Sequence, residues 1–143
     1  MQQHKTVFCV NKEGEAPVDS AAASSALAVS PDNIQWTQAM LSYWQRELRL
    51  VDWKLTLLVR AYCRAVDDYG WTNWVSSVKE ATVAIYLTGN KAEDESTVVH
   101  ELLHLLLGPL TVTSDSNNYN EQEQMLNFIA DSLVKHRRGG QVE

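Results

Sequence analysis

Residues Ser96 to Leu107 have the sequence STVVHELLHLLL, and Gly108-Pro109 follows directly. His100 and His104 are four positions apart, so on a helix both imidazoles lie on one face and can reach a single metal ion. Glu101 then projects beside that metal. This is the H-E-x-x-H pattern, in which the histidines bind Zn²⁺ and the glutamate acts as general base.

The side chains around this pattern favour the metal interpretation over a structural histidine pair. Leucine and valine occupy most of the other positions from Val98 to Leu107, which predicts a helix buried between a sheet and another helix. Imidazoles and a carboxylate in such surroundings need polar partners, and a shared metal ion is one. We expect Asp94 to cap the start of this helix and Gly108-Pro109 to end it.

The composition indicates one acidic globular domain. The chain has 143 residues, 45% of them hydrophobic, and a formal net charge of −6, which opposes binding to nucleic acid phosphates. The basic run from Lys135 to Arg138 lies at a predicted helix end, where cations suit the helix dipole. No apolar run approaches membrane-spanning length, so we expect a soluble cytoplasmic protein. The two cysteines, Cys9 and Cys63, are predicted to be free thiols.

The predicted fold class is α+β. Residues 1–29 are rich in small side chains and are expected to be weakly structured, with a short strand over Thr6–Val10 or a backward extension of the next helix as alternatives. Ordered structure is expected over 30–137 and a flexible tail over 138–143. The predicted elements are a helix from Pro31 to Leu48 capped by Ser30, strands over 51–59, 71–78 and 81–87, the helix that carries His100 and His104, and a last helix from Glu121 to His136. The short connections predict a mostly antiparallel sheet of about three strands.

A catalytic zinc takes three protein ligands, and the segment from His100 to His104 supplies only two of them. Metzincins place a glycine three residues and a histidine six residues after the second histidine, but this chain has Leu107 and Leu110 there. The last helix offers Glu121, Glu123 and His136. We favour Glu123, because Asn127 lies four residues later on the same helix face and can hold a histidine ligand in position.

The order of these elements resembles a small gluzincin, in which Glu is followed four residues later by Asp or Asn, as in Glu123 and Asn127. It is also similar to ImmA/IrrE-like and SprT-like metallopeptidase domains and to compact metallopeptidase-like proteins of bacteriophages and prophages. Leu126 departs from the alanine that usually precedes the asparagine in ImmA/IrrE-like proteins. The resemblance implies a minimal zincin-like domain with one catalytic Zn²⁺ and a protein or peptide substrate.

The resemblance also implies how a substrate would bind. The strand before the metal helix would form the edge of the cleft and pair with an extended substrate, with Ala84, Ile85 and Tyr86 nearest the metal. Tyr119 would stabilise the oxyanion, although an ordinary packing role explains this tyrosine equally well.

Two functions follow from the sequence. The first is a zinc-dependent metallopeptidase in which Glu101 is the general base for a metal-activated water. The alternative is a zincin-fold binding or regulatory protein with a structural zinc and no peptidase activity, which the retained Glu101 disfavours. Neither a nucleic acid nor a membrane is expected as a partner.

Overall fold

The computed structural model describes residues 29–65, 67–108 and 118–142, with side chains as far as Gly139. These residues form three helices and three strands, which confirms the α+β class. In chain order they are α1 (Pro31–Glu47), β1 (Lys54–Ala61), β2 (Gly70–Val75), β3 (Glu80–Leu87), α2 (Lys91–Leu106) and α3 (Tyr119–Val142).

The sheet is mixed, with strand order β1-β3-β2. β1 runs parallel to β3 and β2 runs antiparallel to it, so the expectation of a mostly antiparallel sheet is wrong. A tight turn that includes Lys79 at φ 54° joins β2 to β3 and makes them antiparallel neighbours. β1 lies on the other side of β3. The connection from β1 to β2 therefore passes across the position of β3, and β1 and β3 run in the same direction.

One face of the sheet packs against the helices and holds the main core. This core includes Leu41 and Trp44 from α1, Val83 and Ile85 from β3, and much of α2. The opposite face carries a smaller cluster of Trp71, Ala84 and Tyr86, in which the Trp71 indole N–H donates to the Tyr86 hydroxyl at 2.9 Å. β3 therefore contributes alternate residues to two apolar clusters.

The start of α1 agrees with the sequence, and the start of α2 does not. Ser30 caps α1 by accepting from the Asn33 backbone N–H at 3.1 Å. Asn90, not Asp94, caps α2. Asp94 is buried instead, and its carboxylate accepts from the backbone N–H groups of Thr88 and Gly89 at 2.8 and 3.2 Å. The carboxylate thereby fixes the turn that leads from β3 into α2.

α3 extends beyond both of its predicted ends. It begins at Tyr119 and continues to Val142, so the flexible tail expected from residue 138 is helical as far as Val142. Arg137 and Arg138 contact the buried carboxylate of Glu95 on α2. These contacts anchor the C-terminal half of α3, which explains why the helix does not end at His136.

Cys63 is disulfide-bonded, so the prediction of a free thiol there is wrong. Cys9, the strand proposed over Thr6–Val10 and nearly all of the segment 1–29 that was expected to be weakly structured lie outside the described residues, as do residues 109–117. Among the helices that are described, none combines the length and the apolar character needed to cross a membrane.

Candidate metal centre

Three side chains from α2 and α3 converge on one point. His100 Nε2 lies 3.1 Å from Glu123 Oε1, and His104 Nε2 lies 3.4 Å from Glu123 Oε2. One ligand atom from each of the three residues lies within 4.8 Å of the others. We call His100, His104 and Glu123 the metal-donor cluster. The helical spacing of the histidines and the packing of α3 on α2 together produce it.

These donors fit a zinc ion. Zinc bonds of about 2.0–2.1 Å in a tetrahedral arrangement separate neighbouring donor atoms by roughly 3.3 Å, close to the 3.1 and 3.4 Å observed between Glu123 and the two imidazoles. Two neutral imidazoles and one carboxylate form a donor set that zinc commonly takes in catalytic sites. In the described part of the chain, no fourth His, Cys, Asp or Glu joins the cluster.

The structure distinguishes the three candidates for the third ligand. Glu123 is half-buried and reaches both histidines, whereas Glu121 and His136 are exposed and lie outside the cluster. Position along α3 explains the difference, because only Glu123 faces α2 at the level of the histidines. The preference for Glu123 therefore agrees with the geometry.

Asn127 lies beside the cluster in the same cleft, one turn after Glu123. Burial lowers the pKa of His100, but the hydrogen bond to Glu123, the charges of Glu101 and Glu123, and the hydrogen bond with the Asn127 amide raise it above its usual value overall. His100 Nδ1 is buried without a hydrogen bond of good geometry. The predicted role of Asn127 in orienting a ligand stays a prediction.

Glu101 is buried next to the donors, with 5% of its surface exposed. The Thr72 hydroxyl on β2 donates to Glu101 Oε1 at 2.6 Å. Burial raises the pKa of Glu101 to about 7, although the charge of His100 and the Thr72 hydrogen bond act in the opposite direction. A carboxyl group with a pKa near neutrality can take up and release a proton under ordinary conditions.

β2 approaches α2 closely at Gly70, the first residue of the strand. A Cβ at this position would lie 2.5 Å from the Ala84 carbonyl oxygen, 3.2 Å from Thr97 Cγ2 and 3.4 Å from Glu101 Cγ. Only glycine leaves room for that approach. Sequence patterns assigned neither Gly70 nor Thr72 to the site, because nothing local shows that this strand packs against Glu101.

The predicted cleft edge is wrong. β3 is the central strand, with β1 hydrogen-bonded on one side and β2 on the other. Ala84, Ile85 and Tyr86 are at most 8% exposed, and the backbone around them already has partners. An extended substrate cannot add to this strand. β2 is the edge strand beside the site.

The donors open into a cleft of about 420 Å³. Tyr119, at the start of α3, is half-buried and lines this cleft together with Gly70 and Asn127. Burial is the main cause that raises the pKa of Tyr119 to about 12, and nearby carboxylates add to the effect. Its hydroxyl therefore keeps its proton at neutral pH and can donate a hydrogen bond into the cleft.

A second buried polar cluster lies on the same two helices. Glu95 on α2 accepts from the Trp44 indole at 2.7 Å, from Arg137 Nε and Nη2 at 2.6 and 2.7 Å, and from Arg138 Nε at 2.8 Å. We call these four residues the arginine cluster. It connects α1, α2 and α3, so it fixes α3 against the helix that carries the histidines. The sequence assigned these arginines only to the helix dipole.

Comparison with family models, with curated proteins and with solved structures finds no significant match.

Proposed function

We propose that this chain is a zinc-dependent metallopeptidase that hydrolyses peptide bonds, with His100, His104 and Glu123 as zinc ligands and Glu101 as general base. The observation that carries the proposal is the convergence of the three donors in an open cleft, directly beside a buried carboxyl group. A structural zinc site is normally closed by four protein ligands. Three ligands in a cleft leave space for a water molecule and a substrate.

Zinc held by these donors would supply Lewis acidity, which acidifies a water molecule and polarises a carbonyl group. Glu101 provides the proton acceptor. Thr72 holds Oε1 of its carboxylate, which leaves the other oxygen to take the proton of the attacking water and then deliver it to the leaving amine. The pKa of about 7 suits both steps.

The walls of the cleft supply binding groups. Tyr119 offers a neutral hydroxyl that can donate to a developing oxyanion. β2 has β3 as its only partner in the sheet of the described residues, so its outer edge is available to pair with an extended polypeptide. We propose that β2, which holds Gly70 and Thr72, takes the substrate-pairing role that the sequence assigned to β3.

The test is hydrolysis of an unfolded protein by zinc-loaded wild type and by Glu101→Gln purified in the same way. The variant keeps the shape of the side chain but cannot accept a proton. We expect hydrolysis to fall about 10²- to 10⁴-fold with unchanged zinc content. His100→Ala should lose zinc and activity together. Equal hydrolysis by wild type and Glu101→Gln would refute the assigned base, and zinc binding without any hydrolysis would favour the regulatory alternative.

A further inference from the structure

The cleft is lined by carboxylates that the proposed reaction does not use. Besides Glu101 and Glu123, its lining includes Asp68, Glu93 and Asp131, and it includes no lysine or arginine among the described residues. Even when Glu101 is protonated, the other four carboxylates carry more negative charge than one divalent cation neutralises. The cleft therefore stays negative with zinc bound.

These three additional carboxylates come from different parts of the fold. Asp68 precedes β2, Glu93 lies in the first turn of α2, and Asp131 lies on α3. All three line the same cleft, and a concave wall of low dielectric concentrates the field of such charges inside it.

An aromatic ring lies next to Asp68 on the same wall. Tyr69 lines the cleft and is 47% exposed. Its ring stacks on Tyr62 with centroids 4.8 Å apart and an interplanar angle of 15°. Tyr62 is held in turn by its hydroxyl, which donates to Asp67 at 2.8 Å. Tyr62 therefore packs against one face of the Tyr69 ring and holds that ring in position.

A carboxylate beside a fixed aromatic face suits a guanidinium or ammonium group, because the face attracts a cation and the carboxylate pairs with it. We propose that the cleft selects polypeptide segments that carry arginine or lysine, and that Asp68 and Tyr69 form the subsite for one such side chain. This inference rests on the proposed peptidase function and names its substrate class.

The test uses three short unstructured peptides that differ only at the positions flanking the scissile bond, which carry arginine, glutamine or glutamate. We expect kcat/KM to be at least about tenfold higher for the arginine peptide than for the glutamate peptide at low salt. The ratio should shrink at high salt, because screening weakens attraction between exposed charges. Equal values for the three peptides, with hydrolysis intact, would overturn the inference and leave the peptidase proposal standing.

Substitutions in the cleft lining test whether its carboxylates cause the preference for the arginine peptide. Asp68→Asn and Glu93→Gln should each lower the arginine-to-glutamate ratio severalfold, mainly through KM. The matched control is Glu47→Gln, an exposed glutamate on α1 that does not line the cleft, and it should keep the wild-type ratio. If all three variants keep that ratio, the assignment to the wall is wrong.

A binding measurement separates the two proposals. Fluorescence anisotropy of the labelled peptides with zinc-loaded Glu101→Gln reports recognition without turnover. Tighter binding of the arginine peptide, together with no hydrolysis of any peptide by the wild type, would refute the peptidase and support the subsite. Equal binding of the arginine and glutamate peptides would refute the subsite.

Discussion

The arginine cluster and the metal-donor cluster both join α2 to α3 through buried polar groups, but they differ in where positive charge comes from. In the arginine cluster, two guanidinium groups and an indole N–H reach the fully buried carboxylate of Glu95. In the metal-donor cluster, the carboxylate of Glu123 faces two imidazole nitrogens, which in the neutral form offer lone pairs. Paired opposite charges make a closed structural contact, whereas converging lone pairs make a site for a cation.

Zinc affinity should give the largest difference between the clusters. Glu123→Gln removes a charged donor, so we expect zinc affinity to fall at least about 100-fold, beyond the 10- to 100-fold typical of groups that only orient ligands. Competition with a chromophoric chelator measures this. The control is Glu121→Gln, two residues earlier and exposed, which should bind zinc like the wild type. Equal losses in both variants would remove Glu123 from the ligand set.

Substitutions in the arginine cluster should have their main effect on the free energy of unfolding instead. Arg137→Met leaves the buried carboxylate of Glu95 with only one of its two guanidinium partners. We expect a loss of about 3 kcal/mol in the free energy of unfolding of the metal-free protein. Urea denaturation measures it. Lys135→Met, an exposed position on the same helix, should change the free energy by less than about 0.5 kcal/mol. If Arg137→Met is equally neutral, α3 is not anchored by this cluster.

The two buried glutamates of α2 should respond to pH in opposite directions. Burial raises the pKa of Glu95, but the hydrogen bonds from Arg137 and Trp44 outweigh it and hold the pKa below its usual value. Its contribution to stability is therefore present above about pH 4.5 and is lost as the pH falls. The pKa of Glu101 is raised to about 7, so its contribution is complete below about pH 4.5 and is lost as the pH rises through 7.

Urea unfolding of the metal-free protein from pH 4.5 to 8 isolates the Glu101 effect, because the contribution of Glu95 is lost only below this range. Glu101→Gln should recover up to about 3 kcal/mol of the stability that the wild type loses as the pH rises. Glu93→Gln changes an exposed carboxylate on the same helix and should retain the wild-type decline. Identical pH profiles for wild type and Glu101→Gln would contradict the buried environment of Glu101.

A smaller effect tests the approach of β2 to the site. In Gly70→Ala, the added methyl group would meet the Ala84 carbonyl oxygen at 2.5 Å, so we expect a loss of about 1–3 kcal/mol and weaker hydrolysis. Gly139→Ala is the control, because a Cβ there meets nothing within 4 Å. It should stabilise α3 by up to about 1 kcal/mol. If Gly70→Ala and Gly139→Ala both leave the free energy of unfolding unchanged, β2 does not need glycine at position 70.

Features determined by local spacing could be predicted from the sequence. The His100 and His104 pair required only helical periodicity, and Ser30-Pro31 marked the start of α1 through a cap whose hydrogen bond is local. The choice of Glu123 depended on its spacing from Asn127 along one helix. In each case the prediction depended on residues within one or two helical turns of each other.

Features determined by packing between distant segments could not be predicted. Nothing around Glu95 indicates that Arg137, 42 positions later, reaches its carboxylate. The central place of β3 depends on which side β1 takes, and short connections gave no sign of a parallel pair. Thr72 and Gly70 gain their importance only where β2 meets Glu101.

The central claim is that the metal-donor cluster holds one zinc ion in an open site. X-ray absorption at the zinc edge, on natively purified protein with its metal content measured, tests this most directly. We predict one zinc per chain, two imidazole ligands, and oxygen ligands at about 2.0–2.2 Å with no sulfur. Protein without zinc, or zinc retained undiminished after His104→Ala, would contradict the account.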